Sequence, residues 1–488
     1  MEENNELENQ DNNLLSIEAQ KTQNNLKRIS IFNLLLLICL FFILIAFTSS
    51  SFLEKDNIKK SKRELKENKY LNEIIGIYSI NNIDTKEKII NMPYDKLNIK
   101  LFINDIETKF TTEYQFEEKG EYIIEFKFNE ELTNLSSLFM NIKNLKEIDL
   151  SGLNTNKVIS MDKLFCECSS LEAVNLNNLD TQNVKSMISM FKGCIELKDL
   201  YLQNFTTKNT ISTVSMFEDC HILSIINLNY FDLTNTKIAD YMFRSCFSLK
   251  EISLKNINHK NSSSISMKSM FSSCYTLKNI NLDNFEKKSL NAMDFMFNNC
   301  FALKSIDLSK FETSQVKSIS YTFSSCSSLI SIDISKMNLN NIENVGYAFR
   351  SCSSLDSIDL SNFNTTKVKA MTGLFFGCTS LTSIDLSKYP INITSINDLF
   401  NGCTSLSNVV LRVDIVISVD RVFKGCNSLK YVNLTLFNGI GVKLYIEDFF
   451  PTNTNKALIL YNSTIFGSIL ERRIPSSWTK IDIEKLLK

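Results

Sequence analysis

The chain has 488 residues, and its 53 Lys and Arg offset 54 Asp and Glu to leave a formal net charge of −1. That length suffices for two or three domains, and the charge balance points to no nucleic-acid or polyanion partner. With 12 Gly and only 4 Pro, tight turns fall to Asn, Ser, Asp and Thr.

Residues 1–30 are acidic at first, turn basic at Lys27 and Arg28, and lack apolar periodicity, so they read as a disordered polar tail. Residues 31–52 (IFNLLLLICLFFILIAFTSSSF) are 22 uncharged residues, enough to span a bilayer as a helix. A signal peptide is the rival reading, but the apolar run is long for one and no small-x-small cleavage site stands out. Residues 53–73 form a charged stalk. Its cluster of Lys55, Lys59, Lys60, Lys62, Arg63, Lys66 and Lys69 outweighs Lys21, Lys27 and Arg28 on the other side of the apolar run. Taken alone, that asymmetry holds the rest of the chain in the cytoplasm, but long domains translocate largely regardless of flanking charge.

Residues 74–133 change character. The runs IIGIYSI, KLNIKLFI, YQFEE and KGEYIIEFKFN read as strands, with turn signals at Asn81-Asn82, Asn104-Asp105 and Lys119-Gly120. This is expected to be a small antiparallel β-module that caps the open N-terminal edge of the sheet that follows.

Residues 134–437 repeat. Cysteines stand at Cys168, Cys194, Cys220, Cys246, Cys274, Cys300, Cys326, Cys352, Cys378, Cys403 and Cys426, mostly 26 residues apart, and Ile142 fills the slot in a first copy, which makes twelve rungs. The copy from Cys300 to Ser325 places Leu303, Ile306, Leu308, Phe311, Val316, Ile319 and Phe323 on a frame that the following copies keep. One such rung cannot bury its apolar face alone, whereas stacked rungs bury a continuous core. The stretch I-D-L-S alternates as a strand does. Residues 316, 319, 322, 323 and 326 have the three- and four-residue spacing of a short helix. The expected fold is therefore α/β: a leucine-rich-repeat solenoid with one parallel β-sheet and short helices, rising about 4.8 Å per rung. After the repeats, residues 438–488 lose the frame and read as a C-terminal cap, with Trp478 shielding the last rung.

The frame M-x-x-M-F-x-x-C-x-S-L-x-x-I-D-L-S-x-F-x-T-x-x-V, carried most clearly by 266–274, 293–300 and 352–378, resembles the BspA-like leucine-rich repeat surface proteins over about 142–437. That family is grouped by repeat and surface location rather than by activity. The resemblance implies a membrane-anchored or exported, non-enzymatic protein used in adhesion or recognition, with a protein or surface glycan ligand. It favours repeats outside the cell on a single-pass anchor. The alternative is a cytoplasm-facing scaffold on the same anchor that recruits soluble proteins.

Candidate chemistry is sparse. The ladder cysteines read as small buried apolar residues, and Cys166, outside the frame, is the best single candidate for a reactive or cross-linking thiol. His221 follows Cys220, but adjacent side chains diverge and no third orienting group is apparent, so no catalytic, cofactor or metal residues are expected. The outward strand positions hold Asp307, Asp333, Asp359 and Asp385, flanked by Ser309, Ser335, Ser361 and Ser387. Stacked carboxylates need either a bound cation or hydrogen bonds from neighbouring serines, and the second reading is preferred. In earlier rungs Asp199, Tyr201 and Gln203, then Glu251, Ser253 and Lys255, replace them, the variation a recognition face needs. Asn134, Asn204, Asn261, Asn364, Asn392, Asn433 and Asn462 open candidate N-glycosylation sequons.

Overall fold

The structure is a computed structural model that describes residues 70–486 apart from 92–97, 203–204, 229–230, 255–263, 283–287, 361–362, 364–365, 389–392, 415, 437–439, 446–447, 452–455 and 463–470. The expected membrane span, 31–52, lies outside the described residues; among those described, no helix is long and apolar enough to cross a membrane. Each repeat is one turn of a β-solenoid. In the rung that starts at Cys300, Leu303, Leu308, Phe311, Val316, Ile319 and Phe323 are all buried while Asp307 faces solvent. Successive rungs join these residues into one core that runs from Ile74 to Trp478.

The arm expected to be helical is not a helix. From Ile319 to Cys326 alternate N–H groups follow two routes. Those of Ile319, Tyr321, Phe323 and Ser325 donate to Asn344, Gly346, Ala348 and Arg350 of the next rung, at 2.6–3.1 Å. Those of Thr322, Ser324 and Cys326 close three-residue turns onto Ile319, Tyr321 and Phe323, each at 3.1 Å. The third positions of two of those turns, Tyr321 (φ 55°) and Ser325 (φ 61°), are left-handed, as a turn with positive φ at that position demands. Every rung repeats the pair four residues apart, from Ser137 and Asn141 to Arg421 and Gly425. A left-handed residue every fourth position cannot continue a right-handed helix. Stacked turns bury the same apolar face a helix does, because the 316–326 spacing also fits two consecutive turns.

Nor is the strand arm one unbroken sheet. Short parallel pairs join Leu145–Gly152 to Ala173–Asn175, Asp199–Tyr201 to Ile225–Asn227, and Glu251–Ser253 to Asn279–Asn281. The sheet resumes at Ser383–Leu386 and runs through Asn408–Leu411, Tyr431–Leu434, Leu458–Tyr461 and Thr479–Asp482. Between these stretches the axial bonds lengthen. Lys278 N to Lys250 O is 2.8 Å, but Ile330 N to Lys304 O is 3.3 Å, and Asp356 N to Ile330 O and Thr382 N to Asp356 O are 3.4 Å. Within this stretch a parallel bridge still joins Asp333 to Asp359, so the backbones stay close there although the two carboxylates carry like charge.

Both open ends are covered. Asn72–Ile80 lies antiparallel to Gly120–Phe128 on one side and to Leu145–Gly152, the first rung's strand, on the other. Asn91 covers the start of the turn arm through N to Leu138 O at 2.7 Å and Nδ2 to Met140 O at 2.5 Å. At the far end Phe450 stacks 6.1 Å from Phe423, and Trp478 meets Phe450 edge-on at 5.2 Å.

Candidate functional site

Stacking identical positions builds columns along the axis, and three of them bear on function. The first is buried. Phe139, Phe165, Phe191 and Phe217 stack ring on ring, and the series continues to Phe400 and Phe423 with centroids 5.3–5.9 Å apart. Beside it runs the cysteine ladder. The carbonyl of Phe323 accepts the N–H of Cys326 at 3.1 Å and the thiol of Cys352, from the next rung, at 3.0 Å. The same thiol-to-phenylalanine bond recurs from Cys168 to Phe139 through Cys426 to Phe400. A thiol therefore satisfies a second lone pair on each buried carbonyl while packing as an apolar group. Burial pushes these thiols up, to about 12 for Cys168, Cys326 and Cys403. Cys166, expected to be reactive, is buried as well, and its thiol is raised by that burial and then by Glu167. A raised pKa suppresses the thiolate that reactivity needs, so the expectation for Cys166 is corrected. His221 stacks on Phe247 at 4.5 Å while the Cys220 thiol donates to Phe191 O at 3.2 Å, so the two side chains do not meet.

The second column is the outward strand face. Asp307, Asp333, Asp359 and Asp385 are all exposed on it, and Tyr201, 52% exposed, and half-buried Ser253 hold the same position in earlier rungs. Asp199 and Glu251 precede them by two residues, half-buried and exposed respectively, whereas Gln203 and Lys255 lie outside the described residues. The serine two residues on meets three of these carboxylates: Ser309 N donates to Asp307 at 2.8 Å, Ser387 N to Asp385 at 2.8 Å, and Ser335 to Asp333 through N at 3.0 Å and Oγ at 2.5 Å, while Ser361 lies outside the described residues. This local turn ends the strand and compensates the charge. The Ser309 and Ser335 hydroxyls and N–H groups hold Asp307 and Asp333 below the usual carboxylate range. Among the sequons, Asn134 is exposed; Asn433 and Asn462 are half-buried with amides turned to Tyr431 and Glu484; the other four lie outside the described residues.

The third column was missed. His221, Phe247, Tyr275 and Phe301, each directly after a ladder cysteine, stack at 4.5, 4.8 and 5.1 Å on the corner between the two arms. The sequence signal is the triple recurrence of Cys-aromatic-x-Leu-Lys at 246–250, 274–278 and 300–304.

Comparison with known proteins agrees with the repeat. A family described as Mycoplasma protein of unknown function, DUF285, matches residues 133–256 and 240–358. The BspA type leucine rich repeat region, in six copies, matches residues 320–445. No curated protein matches the chain. Among solved structures it is similar to the plant peptide hormone receptor RGFR1 in complex with RGF2, at 15% identity and a TM-score of 0.22, covering 70% of this chain and 55% of the receptor chain. This chain thus spans about half the length of that receptor chain. Residues 320–445 thus carry the BspA type leucine rich repeat, and the same cysteine and phenylalanine columns, about 26 residues apart, run on through the residues that DUF285 matches.

Proposed function

We propose that the chain is a membrane-anchored, non-catalytic recognition protein that displays its solenoid outside the cell and holds a protein partner, in adhesion or ligand capture, on the strand face. The observation that carries this reading is that face itself. A constant buried frame supports outward positions that change from Tyr201 and Ser253 to Asp307, Asp333, Asp359 and Asp385. Such a scaffold lets surface chemistry vary without disturbing the core. The uncharged run at 31–52 supports the anchor. A second reading, a cytoplasm-facing scaffold, draws on the lysines that follow that run. Protease added to intact cells separates the two: an outward solenoid is cut, and protection of residues 70–488 overturns the outward reading. For the recognition face, full chains bearing Tyr201→Ser with Asp333→Ala should lose surface proteins that the wild type retains. Unchanged retention removes the strand face from the proposal.

A further inference from the structure

The corner column has a chemistry of its own. Three successive rungs read Cys246-Phe-Ser-Leu-Lys250, Cys274-Tyr-Thr-Leu-Lys278 and Cys300-Phe-Ala-Leu-Lys304. The cysteine and leucine of each are buried and pin the segment, which leaves the aromatic and the lysine outside. Tyr275 is 37% and Phe301 40% exposed. Lys250, Lys278 and Lys304 are exposed and form no ion pair among the described residues. The backbone fixes their spacing: Lys278 N donates to Lys250 O at 2.8 Å, and Thr276 Oγ1 donates to Phe247 O at 2.8 Å. The net charge of the chain conceals this row, because acidic residues elsewhere cancel it.

Ring orientation decides what the strip can hold. Phe247 and Tyr275 are 3° from parallel, and Tyr275 and Phe301 are 19° from parallel. Their faces are spent on one another, so their edges meet solvent. An aromatic edge is the positive part of the ring quadrupole. Edges and ammonium groups together favour electronegative oxygens repeated along a line, at about one rung spacing of 4.8 Å. Single-stranded nucleic acid wants free ring faces for its bases, and Phe247 and Tyr275 are each stacked on both faces already. The strip ends where Ser327 replaces the aromatic and Ile330 the lysine, so it spans roughly 10–15 Å and is one side chain wide, a poor match to a membrane plane.

We propose that this corner, Phe247, Tyr275 and Phe301 beside Lys250, Lys278 and Lys304, binds a linear acidic polysaccharide laid along the solenoid axis. The proposal rests on the solenoid being a recognition scaffold, and on neither the strand face nor the membrane anchor. The test uses full-length chain in detergent micelles over immobilised heparin, a polyuronate and neutral dextran. Wild type should bind both acidic polymers, weaken as salt screens the lysines, and ignore dextran. The triple variant Lys250→Gln, Lys278→Gln, Lys304→Gln should lose roughly tenfold or more in affinity at an unchanged melting temperature, and Tyr275→Ser should weaken binding separately. Asp333→Ala, on the strand face, should leave polymer binding intact. Equal binding by the triple variant overturns the proposal, as does absent binding by wild type. Equal or tighter capture by polyglutamate, an oligonucleotide or anionic vesicles also overturns it, in favour of that partner. Failure here with strand-face variants still losing protein partners leaves the recognition reading standing.

Discussion

Phe323 and Asp333 lie one rung apart and face opposite media. Phe323 is 1% exposed and sandwiched between Phe297 at 5.7 Å and Phe349 at 5.5 Å. Phe323→Asp strands a carboxylate among rings that offer it no donor, at a cost of several kcal/mol. Asp333 is exposed, and its partners are Ser335 and Lys336. Asp333→Ala should therefore change stability by about 0.5 kcal/mol or less, and relief of repulsion toward Asp359 can make the change favourable. Thermal melts of the two variants decide it, and equal losses would mean the inward and outward assignment is inverted. A subtler residue-scale contrast involves two glycines. A Cβ at Gly373 would sit 2.2 Å from the Tyr347 ring, whereas one at Gly377 would sit 3.3 Å from Ser351 Oγ. Both have positive φ, yet Tyr347 and Ser351 adopt the same backbone one rung earlier, so backbone strain alone is tolerated. Gly373→Ala should thus lower the melting temperature more than Gly377→Ala; the reverse order would show that φ, not the ring, dominates.

At the scale of the element, the cysteine ladder links the turn arm to pH. The ladder thiols are protonated in the fold because burial raises them from an ordinary value of 9.0, to about 12 in Cys168, Cys326 and Cys403. The unfolded chain ionises them near that ordinary value. Their raised pKa therefore leaves stability untouched below about pH 8.5 and removes it as pH climbs toward 12, at about 1.4 kcal/mol per pH unit for each thiol. Melting temperature should be flat through neutrality and fall steeply on the alkaline side. Replacing Cys300, Cys326 and Cys352 by Ala should flatten that limb, and an unchanged slope would place the alkaline loss elsewhere. The inward frame of this arm was legible in the sequence because burial alone dictates it: Val316, Ile319, Phe323 and Cys326 are all in the core. The backbone path was not, because turns and a helix bury that spacing equally well. Most left-handed positions are Ser, Tyr, Asp or Lys; Tyr and Lys carry no turn signal, and Ser and Asp are too common throughout this chain to mark these positions out. The late rungs do carry one, in Gly373, Gly377, Gly402 and Gly425, four residues apart within the rung or one rung apart across it. The strand-face aspartates were readable from period-two alternation. The Cys-aromatic-x-Leu-Lys strip is visible in the sequence only as a recurrence from rung to rung, since a corner has no apolar alternation within the rung.

Across the whole molecule the two arms share the stacking unequally, and exchange of backbone amides should report it. The turn arm keeps axial bonds of 2.6–3.1 Å through residues 319–325, where the strand arm has stretched to 3.3–3.4 Å. Amides at 330, 356 and 382 should exchange faster than those at 321, 323 and 325; uniform protection would mean the strand arm is as tight as its ends. The ends matter because a solenoid is nearly one-dimensional, so each rung is stabilised only by its neighbours and an uncovered terminal rung frays inward. Trp478 is 4% exposed and closes the phenylalanine column through Phe450, which in turn covers Phe423. Trp478→Ala removes the largest side chain of that cover and leaves a cavity, for a cost of about 3–5 kcal/mol. That loss should be local first: protection should fall at Tyr431–Leu434 and Leu458–Tyr461, the strands beside the cap. Asn72–Ile80, pinned between two antiparallel partners at the other end, should keep its protection. If the variant instead loses protection evenly from 72 to 482, the rungs melt as one cooperative block and the nearest-neighbour picture of this solenoid fails.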